Sequence, residues 1–328
     1  MTVRTESTEA AEFVASLPGR AALEPRTALD PVTTSAVRTW CDAMGDRAWP
    51  NGTVTLQTIA PAATLQLWTF PPVSPERATD GPSLPGDFDT ELRARLAELG
   101  YPATLATAAE YDFLEPIQVG MTLTANQQYV AASSEKQTAL GRGFFVTSLA
   151  EYRSERGAVV GRVRSSVFHF SPLASGAPAE PLVALQSGPY NSHGTPSEIA
   201  PGLNFDTVDV PLTPTQIIAG ALATRDIYPV HHDRDFARSH GSRDLLLSIP
   251  TTCGLLARII GEWTGGKRLL TLSIRLRASA YANHVLIVDG HVDRVHGQIA
   301  ALSLTARSDD GVHADAAASV DLANPRRP

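Results

Sequence analysis

The sequence has little positive charge beyond its arginines, and its basic residues form no cluster. Only two of the 328 residues are lysine, Lys136 and Lys267, and the formal net charge is −7. A nucleic-acid-binding surface needs a patch or stripe of lysine and arginine. The sequence therefore argues against a nucleic-acid partner, although scattered arginines could still meet the phosphates of a small ligand.

Cysteine and long apolar runs are also scarce. The two cysteines, Cys41 and Cys253, lie in predicted helices of different halves of the chain. No apolar run approaches the roughly 20 residues of a membrane span, and the polar N-terminus lacks the apolar region of a signal peptide. We expect a reduced, cytoplasmic protein without membrane contact, in which Cys253 is a small buried hydrophobe rather than a nucleophile.

The chain is long and apolar enough for two ordinary domains or one large one. Its 328 residues are 43% apolar and 19% charged, which suffices for a sizeable core. Composition and periodicity predict a partly ordered N-terminal arm over residues 1–28 and a first domain over 29–170. A linker rich in Pro, Gly and Ser follows over 171–201, and a second domain occupies 202–328.

A helix that leads into an aspartate occurs twice. Apolar spacing predicts one helix that ends at Gly45, just before Asp46, and a second that starts at Pro214 and leads into Asp226. The two aspartates are 180 positions apart. This spacing indicates an internal repeat of the domain.

A β-hairpin occurs twice as well. Residues 152–157 match residues 306–311, and each segment is a turn between two alternating, β-branched stretches. The hairpins are 154 positions apart, so the first half holds about 26 extra residues (180 − 154). We place this surplus near residues 71–87, which read as a long loop. Such a loop could be a lid or binding wall, or a tolerated surface insertion.

Residues 224–233 place acids and imidazoles around a proline. Pro229 fixes its own φ and keeps Tyr228 out of the α region, so the segment is predicted to be an ordered turn. A turn that follows a helix can aim Asp226 and His231 at the same point. A carboxylate beside an imidazole is the usual arrangement for general acid–base chemistry.

The first half keeps the acid and lacks the imidazole. His231 stands five residues after Asp226, whereas Asn51 stands five residues after Asp46. We therefore expect no chemistry in the first half.

The neighbouring polar residues are given structural roles. His232 is expected to point away from His231, and Asp233 to cap or brace the loop. No metal is expected, because this His-His-Asp run lacks a known ligand spacing. The remaining histidines of the second half are predicted to lie at the surface: His240, His284, His291, His296 and His313.

The second half resembles the MaoC-like, (R)-specific enoyl-CoA hydratases and dehydratases. Their pattern D-x-N-P-x-H-x-D, with Ala and Gly a few residues on, is matched by Asp226, Pro229, His231, Asp233, Ala237 and Gly241, with Tyr228 in place of Asn. Residues 252–265 resemble the central helix of the family. Residues 109–120 and 141–147 resemble the degenerate N-terminal domain of its two-domain members.

The resemblance implies an α+β fold with two hotdog domains in tandem. Each would be a curved antiparallel sheet wrapped around a long central helix. Residues 29–170 would form the degenerate domain and residues 202–328 the catalytic one. The two would pair as an intrachain pseudo-dimer, with a homodimer left open, and no cofactor is implied.

The chemistry that the resemblance implies is water addition to a trans-2-enoyl thioester, or the reverse dehydration. The thioester would be carried by CoA or by an acyl carrier protein. Asp226 and His231 would jointly activate water at C3 and deliver a proton to C2. The enolate oxygen would lie at the start of the central helix, where the backbone N–H of Ile249 or Thr251 would bind it. The family commonly has His-Gly at that position, and this chain has Ser248 followed by Ile249.

The resemblance also suggests where the rest of the substrate binds. A degenerate first half often accompanies a bulky acyl group in the family. Candidates to line the acyl pocket are Tyr228, Trp49, Trp68 and Phe70, and candidates to meet CoA phosphates are Arg243, Arg275 and Arg277. Core packing for the aromatic residues, and plain solvent exposure for the arginines, remain alternatives.

Two other functions stay open. A hotdog thioesterase usually needs a carboxylate on the central helix, and Glu262 stands near the far end of the predicted helix. A non-catalytic subunit that binds acyl thioesters is the second alternative. The presence of both Asp226 and His231 argues against it, and the altered start of the helix argues for it.

Overall fold

The computed structural model describes residues 2–47, 58–70, 88–173, 196 and 198–325, with side chains described between residues 7 and 323 of those ranges. Trp49, Asn51, the predicted loop at 71–87 and most of the predicted linker lie outside the described residues.

The two halves share a strand, a helix and then four long strands in the same order, among further elements. In the N-terminal half these are α1 (Thr2–Ala15), β1 (Ala21–Thr27), α2 (Thr34–Met44), 3₁₀ turns at Ala62–Thr64 and Leu67–Thr69, α3 (Phe88–Glu98), β2 (Ala103–Phe113), β3 (Leu123–Ala132), β4 (Lys136–Gln137), β5 (Gly141–Ser154) and β6 (Val159–Pro172). In the C-terminal half they are β7 (Val208–Leu212), α4 (Pro214–Thr224), a 3₁₀ turn at Pro229–His231, α5 (Arg234–Ser239), α6 (Ile249–Trp263), β8 (Lys267–Leu276), β9 (His284–His296), β10 (Ile299–Ser308) and β11 (Gly311–Pro325).

One antiparallel sheet runs through both halves. Among the described residues its strand order is β1-β3-β5-β6-β2-β8-β11-β10-β9-β7, with β4 paired to β5. The C-terminal strands repeat the N-terminal order in reverse. The halves join where residues 108–112 of β2 pair with residues 271–275 of β8. This arrangement is the intrachain pseudo-dimer that the resemblance implied, and the β5–β6 and β10–β11 hairpins are the two predicted ones.

Helix α6 is the long central helix predicted for the second half. The Ser248 side chain caps its N-terminus, and the helix is buried on most sides, including at Leu255, Leu256, Ile259 and Ile260. Burying each such side chain contributes about 1.5–3 kcal/mol of transfer free energy. The same hydrophobic core contains residues from both halves.

The N-terminal half shows no comparable long helix in its described residues. Two 3₁₀ turns, at 62–64 and 67–69, are present there, and the first packs against α6. Helix α3 lies instead in a second, smaller core together with α1. Among the described residues, the predicted long central helix is therefore present in the C-terminal half only.

The predicted N-terminal arm is a helix followed by a strand of the sheet. Ala10, Val14 and Leu17 are buried against α3 and its neighbouring strands, and β1 pairs with β3. Apolar residues recur at i, i+4 and i+7, but polar residues dilute the pattern. The helix is stabilised by tertiary packing, which local propensity does not reveal.

Helices α2, α4 and α6 pack together across the two halves. Glycines permit two close approaches. A Cβ at Gly254 of α6 would lie 2.5 Å from Met44 Sδ of α2, and a Cβ at Gly220 of α4 would lie 2.4 Å from Thr251 Cγ2. The start of α6 is therefore held directly against α4. No helix among the described residues is long and apolar enough to cross a membrane.

Candidate active site

The end of α4 positions Asp226. The helix begins with Thr213 as its N-cap and ends at Arg225, which adopts the left-handed conformation at φ 58°. In the first half Gly45 occupies the corresponding position, at φ 69°, just before Asp46. A non-glycine residue pays about 1–2 kcal/mol for this conformation, so the second half holds its aspartate on a strained turn.

His231 is held by one ring nitrogen and presents the other to Asp226. Its Nδ1 lies 2.6 Å from the carbonyl oxygen of Leu246, which can only accept a hydrogen bond. In the neutral imidazole Nδ1 therefore carries the hydrogen, and Nε2 keeps a lone pair. Nε2 lies 3.6 Å from Asp226 Oδ2, beyond a direct hydrogen bond. The imidazole is buried and Asp226 is partly exposed.

The adjacent polar residues brace this loop. His232 Nε2 lies 2.9 Å from the Ile227 carbonyl oxygen, so its ring is held by the loop backbone. The Phe236 N–H donates to Asp233 Oδ1 at 2.9 Å, which caps α5 as predicted.

The two predicted oxyanion donors differ in whether the first turn of α6 already engages their N–H groups. The Thr251 N–H donates to Ser248 Oγ at 3.3 Å, so the cap already engages it. Ile249 is the first residue of the helix, and amides there lack an intrahelical partner. It follows Leu246, whose carbonyl holds His231, by three residues. Ile249 is thus the better placed of the two amides to receive an oxyanion.

The aromatic candidates for the acyl pocket lie in different environments. Tyr228 is 44% exposed and packs edge-on against Phe236, with ring centroids 5.8 Å apart. Trp68 is buried in the core of the molecule, and Phe70 is half-buried. The structure therefore places the Tyr228 ring at the surface rather than in the core.

Two of the three arginines proposed for CoA phosphates pair with aspartates, and the third is exposed. Arg243 Nη1 pairs with Asp310 Oδ1 at 2.7 Å, and Arg277 pairs with Asp315. Arg275 is exposed on β8 and alternates with buried residues of the core, so it faces away from α6. A phosphate-binding role for these side chains remains a prediction.

The N-terminal half reaches the site through Tyr111, a residue that the sequence did not single out. Its hydroxyl donates to Gln66 Oε1 at 3.0 Å, and Cys253 of α6 is close enough to raise its pKa. Burial raises the pKa of Tyr111 well above its usual value, and Cys253, Tyr152 and the Asp226 carboxylate raise it further. Alternation along β2 could have predicted a buried ring at this position, but it could not predict the hydroxyl's partners.

Asp46, the acid of the first half, faces a guanidinium group. It is buried, and its charge acts on Arg258 of α6, which pairs with Glu262 at 3.1 Å. Burial lowers the pKa of Arg258, and both acids oppose that shift. The ion pair also occupies Glu262, the carboxylate that the thioesterase alternative would need.

The structure corrects two histidines and supports the prediction for Cys253. His284 and His313 were expected at the surface, but both are 1% exposed because they lie on the inner side of the sheet. His313 contacts the Ala278 carbonyl and the Thr252 hydroxyl, and burial lowers its pKa. Burial raises the pKa of Cys253 to about 12, which makes it a poor nucleophile. Among the described residues, no group of three or more His, Cys, Asp or Glu side chains could hold a metal ion.

Comparison with curated proteins finds two informative relatives. A probable enoyl-CoA hydratase alpha subunit of Thermomonospora curvata is 35% identical over 182 residues, which are 52% of this chain and 55% of the relative. The 3-oxo-4,17-pregnadiene-20-carboxyl-CoA hydratase beta subunit of Mycobacterium tuberculosis is 34% identical over 110 residues, which are 33% of this chain and 85% of the relative. The chain thus spans about half the length of the first relative. No model of a protein family matches the chain.

Solved structures show the same fold at low sequence identity. A structure described as a MaoC-like dehydratase superposes with a TM-score of 0.65 at 15% identity, over 92% of this chain and 98% of that chain. A Mycobacterium tuberculosis protein described as having a double hotdog fold superposes with a TM-score of 0.58 at 14% identity, over 94% and 97%.

These findings define a double-hotdog protein in which one half brings an aspartate and a histidine together. The hydratase relatives and the MaoC-like structural neighbours narrow this class to one family. The chain belongs to the MaoC-like hydratase and dehydratase family.

Proposed function

We propose that this chain adds water to the double bond of a trans-2-enoyl-CoA, or removes it from the 3-hydroxyacyl-CoA, at Asp226 and His231. The observation that carries the proposal is the geometry of the pair. Nδ1 of His231 is held by Leu246, and Nε2 faces Asp226 Oδ2 at 3.6 Å. The hydratase names of the relatives supply the substrate class.

The pair suits the activation of one water molecule. A water can donate one hydrogen to Nε2 of His231 and the other to Oδ2 of Asp226, because both are acceptors and stand too far apart to bond each other. His231 takes the first proton as the water oxygen bonds to C3. The Asp226 carboxylate then stabilises the imidazolium that forms.

The electrons of the double bond move to the thioester oxygen, which becomes an enolate. The Ile249 N–H at the start of α6 donates to this oxygen, where the helix dipole also favours negative charge. His231 returns its proton to C2, and the imidazole is neutral again. Both additions occur on one face of the substrate, which is the syn course expected of an (R)-specific hydratase.

We further propose that one chain supplies both parts of this site. Its relatives are named alpha and beta subunits. Here two hotdog halves share one sheet and one core, so the N-terminal half takes the place of a partner subunit. The same assay tests an acyl carrier protein in place of CoA. Further pairing of two chains is a separate question of oligomeric state.

The decisive experiment follows the loss of enoyl absorbance with a panel of trans-2-enoyl-CoA thioesters, from short-chain to polycyclic. We expect wild-type turnover and a loss of at least about 100-fold in His231→Ala. His232→Ala is the matched control and should retain most of the turnover. Chiral analysis of the product tests the (R) configuration. A folded wild-type protein that hydrates none of the panel, whether carried by CoA or by acyl carrier protein, would contradict the proposal.

A further inference from the structure

The N-terminal half sets a polar pair into the apolar core beside the site. Tyr111 is 3% exposed, and its hydroxyl donates to Gln66 Oε1 at 3.0 Å. Leu65 and Leu67, which flank Gln66, are buried, whereas Gln66 itself is half-buried. We call these two side chains the Gln66–Tyr111 pair. Because Gln66 is half-buried, its side chain retains accessible surface.

The pair lies next to the second turn of α6 and close to the catalytic acid. The 3₁₀ turn at 62–64, just before Gln66, packs against α6, and Cys253 of that helix, four residues after Ile249, raises the pKa of Tyr111. Residues four apart share one face of a helix and are separated by about one turn, or 5.4 Å. The charge of Asp226 also acts on Tyr111. Cys253, the residue of α6 beside Tyr111, is thus about one helical turn from the amide proposed for the thioester oxygen.

This position matches the part of an acyl group that follows the double bond. With the thioester oxygen at Ile249 and C3 at the Asp226–His231 pair, the next carbons extend past the catalytic acid. Tyr111 is near that acid, which raises its pKa, and near Cys253. The substrate would therefore meet the Gln66–Tyr111 pair shortly beyond its reacting carbons.

Gln66 has hydrogen-bonding capacity to offer there. Its amide carries two donor hydrogens and an oxygen with two lone pairs. Tyr111 uses one lone pair, and the Tyr152 hydroxyl, whose pKa burial raises and Gln66 lowers, faces a donor hydrogen of the amide. One donor and one lone pair are left over by these two contacts. A ligand oxygen can accept from that donor, whereas an apolar chain would cover it without a bond, which is unfavourable.

We propose that the Gln66–Tyr111 pair is a specificity element, which selects enoyl groups that carry a hydrogen-bonding oxygen beyond the double bond. The inference rests on the proposed function, because it concerns the acyl group at the same site. Gln66 contacts the oxygen, and Tyr111 acts through Gln66 by orienting its amide. A buried polar group of this kind discriminates because the wrong substrate leaves it unpaired.

The test compares two trans-2-enoyl-CoA thioesters of equal length, one with a keto oxygen beyond C4 and one fully apolar. We expect wild-type kcat/KM to favour the keto substrate by about tenfold or more. Gln66→Leu should bring the ratio close to one, and Tyr111→Phe should lower it. Circular dichroism and gel filtration check that both variants fold. Gln127→Leu is the matched control, since Gln127 also bonds a hydroxyl, Ser148 Oγ at 2.8 Å, but on strands β3 and β5.

A binding measurement separates this inference from the proposed function. The same two thioesters are titrated calorimetrically against His231→Ala and against His231→Ala combined with Gln66→Leu. A keto preference that disappears in the double variant supports the inference even without turnover. A wild-type preference that survives Gln66→Leu overturns it, as does an equal loss of turnover on both substrates. Absence of any preference, or of any binding, in the parent proteins overturns it as well.

Discussion

Asp46 and Asp226 occupy corresponding positions and have different partners. Asp226 faces the imidazole of His231 and is partly exposed. Asp46 is buried, and its charge acts on the guanidinium of Arg258. The same residue type is therefore available for proton chemistry in one half, and balances a buried charge in the other.

Replacing each acid by its amide should separate these roles. Asp226→Asn should lower hydration at least about 100-fold, because the imidazolium loses its carboxylate, and should change stability little. Asp46→Asn should lower the free energy of unfolding by about 1–3 kcal/mol, because the buried guanidinium of Arg258 loses one of its charge partners. The Asp46→Asn variant should keep its turnover per folded molecule.

Denaturant unfolding and hydration kinetics on both variants check this pair of expectations. Loss of turnover in Asp46→Asn at unchanged stability would show that the first half takes part in the chemistry. Strong destabilisation of Asp226→Asn would show instead that the second acid is structural.

The position of α6 determines the geometry of the proposed site. Its first amide is the proposed oxyanion donor, and it starts three residues after the carbonyl that holds His231. Ser248 caps the helix, and Gly220 of α4 lets Thr251 pack closely. The helix start is therefore fixed by both its cap and its neighbouring helix.

Gly220→Ala should disturb this contact. The added Cβ would lie 2.4 Å from Thr251 Cγ2, so α4 or α6 must shift. We expect a loss of about 1–3 kcal/mol in the free energy of unfolding, together with reduced kcat, because the oxyanion donor moves. Thermal unfolding and steady-state kinetics measure both effects.

Gly261→Ala is the control for that substitution. Gly261 lies in α6, and a Cβ there meets no atom within 4 Å. We expect it to be neutral or to stabilise by up to about 1 kcal/mol, as alanine does in a helix interior, with unchanged kcat. If both glycine variants behave alike, the close contact with Thr251 has no special role.

At the scale of the whole molecule, the two halves depend on each other. The β2–β8 pairing makes their sheets continuous, and buried residues of both halves form a single core. Tyr111 and Gln66 come from one half, whereas Asp226 and His231 come from the other. The proposed site therefore draws on both halves.

A protein split into two chains, with residues 174–195 omitted, should still assemble. Residues 1–173 and 196–328, expressed together as two chains, should copurify and hydrate the thioester that the intact protein prefers, because the core and the sheet hold them together. The second piece alone should be inactive and prone to aggregate, since its face toward the first half is apolar. Affinity purification through a tag on one piece, followed by the hydration assay, provides the readout. Two pieces that fold separately without associating would contradict it.

Local patterns carried much of the architecture. The helix start at Thr213 and Pro214, the end of α2 at Gly45 and the two late hairpins follow from capping, turn and alternation rules that act within a few residues. The helix α1 was missed because its burial depends on α3, which lies far along the chain. The burial of His284 and His313 was missed for the same reason.

The sequence alone established the motif around Asp226 and His231, the internal repeat and the absence of basic clusters, because each is a matter of residue type and spacing. Tertiary structure decided which groups meet. It set Nε2 of His231 against Asp226, engaged the Thr251 amide with Ser248, paired two of the three candidate arginines with aspartates, and brought Tyr111 beside Cys253. The arginine pairs and the approach of Tyr111 to Cys253 join residues far apart in the chain, and all these distances depend on how helices and strands pack, which no local pattern encodes.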